Sequence, residues 1–276
     1  MTGFRTALMV AGVLATGSAL ANERNDIPSC YDYAELGQYK STQFERELFV
    51  VVDRTVRLDL SLKKSVHSQI QHFARPGDKI TLVTFSALAE GDYTNVAFRG
   101  AFEQPLEGSV RDEVNRLKLR KLDHCLTNQK GAINAVHKRL ASLFPATDES
   151  YPRTELVGTV LGLSTDLISQ SLANRKVVLI VSDMLENSET LSFYRKGKVN
   201  VPDAAQAFAK IQAAGFAGDF AGSEVYVIGA GFVEGAKRYS SQKSVNELEA
   251  FWQKVVTANN GQLRQFGKPS LMTQIQ

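Results

Sequence analysis

Two runs of consecutive apolar residues form the strongest pattern in this chain of 276 residues. They are Leu-Phe-Val-Val-Val at 48–52 and Val-Val-Leu-Ile-Val at 177–181. Continuous apolar runs of this length are typical of strands that are covered on both faces, as in a parallel sheet. We therefore predict strands over 47–52 and 176–182, and weaker runs predict others over 79–85, 96–102, 224–228 and 263–266.

Apolar residues spaced three or four apart predict helices between these strands. One covers 58–73, and a helical hairpin over 108–145 is split near 128–131. Thr154, Pro202 and a capping box that begins at Ser244 mark the starts of later helices. Strands that alternate with helices predict an α/β fold, a three-layer doubly wound, mostly parallel sheet with the helical hairpin as an insertion.

The first 21 residues have the features of a signal peptide. Arg5 precedes an apolar run, and Ala19-Leu20-Ala21 fits the site at which signal peptidase cleaves. A retained N-terminal anchor is the alternative, but the apolar run is shorter than the roughly 20 residues of a stable membrane-spanning helix. We expect a periplasmic or secreted protein without a transmembrane span in the mature chain. It would comprise a lead-in (22–45), a domain (46–268) and a tail (269–276).

Two cysteines, Cys30 and Cys125, follow the signal peptide. An isolated pair in an oxidising compartment predicts a disulfide, because its spacing fits neither a redox motif nor a metal site. Two unpaired thiols are the alternative.

Charge is balanced over the whole chain but not along it. The net charge of +3 gives no reason to expect a nucleic-acid partner. Residues 108–145, however, hold eight Lys or Arg against three Asp or Glu. A solvated outer face is one interpretation. The other is a surface that binds an acidic protein partner, with Arg116, Lys118, Arg120 and Lys121 as the contacts.

Carboxylates and hydroxyls follow the two strongest strands. Asp53 and Thr55 come directly after the first, and Asp183 follows the second. In an open α/β sheet the ligand site lies at the carboxyl ends of the strands, and Thr154 adds a hydroxyl from a loop. Oxygen ligands of this kind are those that Mg²⁺ binds.

The order of these residues resembles that of a von Willebrand factor A domain, over about 45–268. That family has D-x-S-x-S after its first strand, a Thr in a later loop and an Asp, often in S-D-G, after its fourth strand. Asp53, Thr55, Thr154 and Asp183 match those positions. The resemblance implies a metal-ion-dependent adhesion site that holds Mg²⁺ or another divalent cation, but Arg57 stands where the second Ser of the motif belongs.

The same resemblance implies the sheet order 3-2-1-4-5-6, with the 96–102 strand antiparallel at one edge. It also implies an exported, non-catalytic protein-interaction module. Two alternatives remain: a haloacid-dehalogenase-like phosphatase that uses Asp53 as nucleophile, and a metal-free structural component of an envelope or secretion assembly. The phosphatase lacks its second acid, because Thr55 occupies that place. Gly229-Ala230-Gly231 does not complete a dinucleotide-binding motif.

Overall fold

The computed structural model describes residues 24–86, 94–144, 154–233, 238–267 and 270–276. The signal peptide predicted over 1–21 lies outside the described residues. The strands are, in chain order, β1 (Arg46–Asp53), β2 (Asp78–Phe85), β3 (Thr94–Ala101), β4 (Arg175–Val181), β5 (Tyr194–Arg195), β6 (Lys198–Val199), β7 (Glu224–Ile228), β8 (Phe232–Val233), β9 (Arg238–Tyr239) and β10 (Gln262–Gly267).

Helices connect most of these strands. They are, in chain order, α1 (Cys30–Tyr33), α2 (Leu60–Phe73), α3 (Gly108–Glu113), α4 (Arg116–Gln129), α5 (Ala132–Leu143), α6 (Leu156–Leu163), α7 (Ala204–Ala213) and α8 (Gln242–Ala258). A single π-helical turn, Ser164–Ile168, extends α6.

The main sheet has six strands in the order β10-β7-β4-β1-β2-β3. Every neighbouring pair is parallel except β2 and β3, which are antiparallel. Counted along the sheet strands alone, this order is 3-2-1-4-5-6 with an antiparallel edge strand. The predicted fold class, strand order and edge strand are therefore confirmed.

Helices cover both faces of the sheet, which is why its central strands are apolar throughout. Leu48, Val50 and Val52 of β1 belong to one core cluster, and Phe49 and Val51 belong to the other. Successive side chains of a strand point to opposite faces, so both sets are buried only if both faces are covered. Helices α2 and α5 cover the first face, and α6, α7 and α8 cover the second.

The predicted helical hairpin is present as α4 and α5, with a turn at Lys130 and Gly131. A short helix, α3, precedes it and ends before Asn115, whose side chain caps α4. Helix α5 buries four residues in the first core cluster, namely Ile133, Val136, Leu140 and Leu143. This second helix is thus part of the layer on the sheet, whereas α4 lies further out.

Two helices begin at different residues from those predicted. Helix α8 begins at Gln242 with Ser241 as its N-cap, and the Ser241 hydroxyl accepts a hydrogen bond from the Ser244 amide. The capping box predicted at Ser244 is wrong, because the serine three residues earlier captures that amide. Helix α6 begins at Leu156, after the predicted Thr154.

The lead-in is attached to α4 by the predicted disulfide. Cys30 and Cys125 are joined, with their Cα atoms 5.4 Å apart. Around the bond lies a small separate core, formed by Tyr31, Ala34, Leu36, Val114 and Leu122. The disulfide therefore fixes α1 and α4 to each other. Among the described residues, no helix is both long enough and apolar enough to cross a membrane.

Candidate binding site at the carboxyl edge of the sheet

The sheet reverses its direction of growth between β1 and β4. The chain moves from β1 to β2 and β3 on one side, and from β4 to β7 and β10 on the other. A crevice forms at such a point, and ligands of open α/β sheets bind there. Asp53 ends β1, and Ser182 follows β4, its direct neighbour. The structure therefore brings together the ends of the two strands that the sequence singled out.

Asp53 is the centre of a hydrogen-bond network at this edge. Its Oδ1 accepts from the Thr55 amide at 2.8 Å and from Thr55 Oγ1 at 2.6 Å. Its Oδ2 accepts from Ser182 Oγ at 2.7 Å. Asp53 is only 1% exposed, and burial raises the pKa of its carboxyl even though these bonds oppose the shift. The network orients both hydroxyls toward Asp53.

This geometry bears on the phosphatase alternative. A nucleophilic carboxylate needs an oxygen that can reach the substrate. Both Asp53 oxygens already accept hydrogen bonds, and the residue is buried. The burial of Asp53 therefore does not favour the phosphatase alternative.

Asp183 lies in a turn that the backbone holds tightly. Its Oδ1 accepts from the Leu185 amide at 2.9 Å, and its carbonyl accepts from the Gly231 amide at 2.8 Å. Met184, which stands in place of the Gly in S-D-G, has a φ of +61°. Its carbonyl accepts from Trp252 Nε1 at 3.0 Å. Met184 thus keeps the left-handed backbone that favours glycine, so its departure from the family pattern leaves the turn intact.

The Gly229-Ala230-Gly231 segment supports the same turn. Gly229 has a φ of +98°, and a Cβ there would lie 3.1 Å from the Ser182 carbonyl oxygen. Gly231, with a φ of +71°, donates its amide to Asp183. These glycines therefore allow the end of β7 to approach the Ser182–Asp183 turn.

Thr154 is joined to the loop that follows β4. It forms an antiparallel bridge with Asn187, in which both backbone hydrogen bonds are 3.0–3.1 Å long. Thr154 is half-buried, as are Thr55 and Asp183. The hydroxyl predicted at Thr154 is thus attached to the segment that carries Asp183.

Glu186, in that same loop, is a residue that sequence reasoning missed. It is 2% exposed, and its Oε2 accepts from the Val157 amide at 2.8 Å. It caps helix α6 from a distant part of the chain. Burial raises the pKa of its carboxyl to about 7, although the hydrogen bonds from the backbone of α6 and from Ser188 oppose that shift. A single acid in an irregular loop gives no periodic signal.

The phenol of Tyr194 lies within electrostatic range of Asp183. Burial, followed by the charge of Asp183, raises the pKa of its phenol. Its hydroxyl therefore stays protonated at neutral pH. Arg57 is exposed on the segment between β1 and α2. Thr55 and Ser182 donate hydrogen bonds to the Asp53 carboxylate. Neutralisation of that carboxylate by Arg57 stays a prediction.

The side chains at this edge fit a hard cation by their chemistry. Thr55 and Ser182 each donate their hydroxyl hydrogen to Asp53, so a cation would meet oxygen lone pairs rather than hydrogens. Ser182 Oγ also accepts from the Met184 amide at 3.0 Å, which leaves it one lone pair. Among the described residues, no group of three or more His, Cys, Asp or Glu side chains is placed to hold a metal. A cation here would therefore depend on hydroxyl oxygens, as Mg²⁺ sites allow.

The predicted basic surface on α4 is partly neutralised. Lys118 Nζ lies 3.0 Å from Glu35 Oε2, and Lys121 Nζ lies 4.0 Å from Glu35 Oε1. Arg116 and Arg120 are exposed, and their side chains have no partner among the described residues. Of the four predicted contacts, the two arginines are therefore the ones that the described residues leave free to bind an acidic partner.

Comparisons with known proteins found similar solved structures. No protein-family model and no curated protein sequence matches the chain. BatB, a conserved hypothetical protein from Bacteroides thetaiotaomicron, is 16% identical with a TM-score of 0.37, over 80% of this chain and 90% of that one. An aerotolerance-related membrane protein from Bacteroides fragilis is 14% identical with a TM-score of 0.31, over 80% and 92%.

The pilus adhesin SpaC from Lactobacillus rhamnosus GG, in its open conformation, is 11% identical with a TM-score of 0.40. That match covers 83% of this chain and 28% of SpaC. Because these values are low, the assignment of the fold rests on the strand order, the antiparallel edge strand and the two helical layers. By these features the chain has the fold of a von Willebrand factor A domain.

Proposed function

We propose that this chain is an exported, non-catalytic protein-interaction module that binds its partner at the carboxyl edge of the central strands. The observation that carries the proposal is the orientation of two hydroxyls by one buried carboxylate. Asp53 accepts hydrogen bonds from Thr55 and Ser182, so both hydroxyl oxygens are held in fixed orientations. Thr55 Oγ1 keeps its lone pairs for a ligand, and Ser182 Oγ, which also accepts from the Met184 amide at 3.0 Å, keeps one. A site built to hold oxygens in place is suited to binding rather than to acid–base chemistry.

A divalent cation such as Mg²⁺ would be held by four residues, namely Thr55, Ser182, Thr154 and Asp183. Asp53 would orient the hydroxyls of Thr55 and Ser182. A carboxylate oxygen of the partner protein would then coordinate the bound cation. Arg57 replaces one hydroxyl ligand and adds a positive charge nearby, and both effects weaken cation binding. We therefore propose a weak cation site in the wild type.

The basic surface of α4 supplies a second contact. Arg116 and Arg120, flanked by Lys118 and Lys121, would attract an acidic surface of the partner. The disulfide between Cys30 and Cys125 is typical of proteins outside the cytoplasm. The disulfide supports export to the periplasm or secretion from the cell. We propose that the signal peptide is cleaved after Ala21 during export.

Calorimetry with Mg²⁺ and Mn²⁺ tests the cation site. We expect weak binding by the wild type and binding roughly tenfold tighter by Arg57→Ser, which restores a hydroxyl and removes a charge. Adding Asp183→Ala to Arg57→Ser should abolish it. Arg54→Ser is the matched control, because Arg54 is also exposed but is not a position of the motif.

Micromolar binding by the wild type that Arg57→Ser leaves unchanged would show a working adhesion site and refute the inhibitory role of Arg57. No binding by either protein would favour the metal-free structural component.

A further inference from the structure

A cavity lies at the opposite end of the sheet from Asp53. It has a volume of about 630 Å³ and is lined by the end of α2, the segment after β3 and the outer helix α4. Residues before β2 and after β3 line it, whereas Asp53 pairs with Phe85 at the other end of β2. A strand of eight residues is about 25 Å long. This cavity is therefore separate from the site proposed above.

The walls of the cavity are mainly apolar. They are formed by Ala74, Pro76, Phe102, Pro105, Leu126 and Ile133. Clefts of 300–1,000 Å³ with apolar walls and a few polar groups are typical of small-ligand sites. The size and the lining therefore fit one short apolar group.

One buried donor in the wall has no acceptor. Gln129 is 8% exposed, and its Oε1 accepts from the Glu103 amide at 2.8 Å. That bond fixes the orientation of the side-chain amide, because only the oxygen can accept. Its Nε2 is buried without a hydrogen-bond partner among the described residues. Buried polar groups are nearly always satisfied, so an unpaired donor beside a cavity indicates a missing acceptor.

The cavity is lined by two cations and two acids, and the cations are the groups without a partner in the part of the chain that the structure describes. Arg75 and Lys130 line it, and neither side chain has a hydrogen-bond or ion-pair partner among the described residues. Both acids in the lining are occupied. Asp123 accepts two hydrogen bonds from Arg111, at 3.0 and 2.6 Å. Glu103 accepts from the hydroxyl of Ser29, the N-cap of α1, and from the backbone amide of Cys30. The uncommitted groups are therefore two cations and one amide donor.

We infer that this cavity binds a carboxylate with a short apolar body, such as a medium-chain acid or the free C-terminus of an apolar peptide. The apolar part fills the space between Phe102, Leu126 and Ile133. The carboxylate accepts hydrogen bonds from Gln129 Nε2 and from the cations of Arg75 and Lys130. The disulfide holds α4, and with it the outer wall, in place.

Calorimetry at pH 7.5 with octanoate and 1-octanol tests the carboxylate. We expect saturable binding of octanoate and at least roughly tenfold weaker binding of the alcohol, because the alcohol lacks the charge. Arg75→Gln and Lys130→Gln should each weaken octanoate binding by roughly tenfold. Lys64→Gln is the control, since Lys64 is an exposed cation of α2 outside the lining.

Thr127→Trp tests the location. Thr127 is exposed and lines the cavity, so a large side chain there blocks it without disturbing the core. We expect loss of octanoate binding with an unchanged far-ultraviolet circular dichroism spectrum. Binding that survives Thr127→Trp, equal binding of acid and alcohol, or no binding of octanoate would each overturn the inference.

Two hexapeptides with an apolar last residue, one ending in a carboxylate and one in an amide, distinguish the sources. If only the carboxylate peptide binds, and more tightly than octanoate, the site serves peptide C-termini. If octanoate binds more tightly than both peptides, the site serves free acids.

Discussion

Replacing Glu186 by Gln should remove a loss of stability that the folded protein undergoes as the pH rises to neutrality. Glu186 is buried against the first turn of α6, and that burial raises its pKa from 4.5 to about 7. Gln keeps an oxygen for the Val157 amide and carries no charge. The amide nitrogen of Gln cannot accept the hydrogen bonds from Ser188 and Leu156, but that loss does not vary with pH. The pH dependence of the difference between the two proteins therefore reports the ionisation of Glu186.

The sign follows from the direction of the shift. Below pH 4.5 both the folded and the unfolded chain carry the proton, so burial of Glu186 imposes no ionisation penalty. Between 4.5 and 7 the unfolded chain ionises first, and the stability of the wild type falls. Above 7 the loss is complete, and at 1.36 kcal/mol per pKa unit it amounts to about 3 kcal/mol.

Urea denaturation at several pH values between 4.5 and 8 measures this difference. The free energy of unfolding of Glu186→Gln relative to the wild type should rise by about 3 kcal/mol over that interval. Glu249→Gln is the matched control, because Glu249 is exposed on α8. A difference between Glu186→Gln and the wild type that stays constant with pH would refute the reasoning.

Three further predictions concern single features of the fold. Met184→Gly should be more stable than Met184→Ala by about 1 kcal/mol in urea denaturation, because φ is +61° there and only glycine adopts it without strain; equal stabilities would contradict this. Non-reducing peptide mapping should find Cys30 linked to Cys125, and replacing both by Ser should cost roughly 2–5 kcal/mol for a loop this long; two alkylatable thiols in periplasmic material would contradict it. His67 Nδ1 and His137 Nδ1 lie 2.8 Å apart, and burial lowers the pKa of both rings. Above pH 6.5 both rings are neutral in the folded and the unfolded chain. On acidification the unfolded chain takes up protons first, so the free energy of unfolding falls. His137→Gln should therefore reduce the stability lost between pH 7 and 5, and an unchanged pH dependence would contradict this.

The central strands were predictable because both faces of each one are buried. The runs at 48–52 and 177–181 are apolar at every position, and that pattern needs no knowledge of the neighbouring elements. The carboxylates at their ends followed from the general position of ligand sites in such sheets. The order of the strands came only from the family resemblance, since periodicity does not specify which strands pair.

The features that were missed depend on contacts between distant segments. Glu186 is buried because α6 begins beside it, 29 residues earlier in the chain. Helix α5 looked like part of an insertion, because the sequence shows its apolar face but not the sheet against which that face packs. Likewise, the unpaired amide of Gln129 exists only because α4 lies beside the end of β3.

Affinity capture from an envelope extract tests the central claim, that the carboxyl edge of the sheet and the basic surface of α4 bind a protein. The wild type, Asp183→Ala and a variant with Arg116 and Arg120 changed to Glu are used as baits at low salt, and the captured proteins are identified by mass spectrometry. We predict that one protein is enriched by the wild type and reduced by both variants, while circular dichroism shows all three baits folded. Equal recovery of that protein by all three baits would contradict the account.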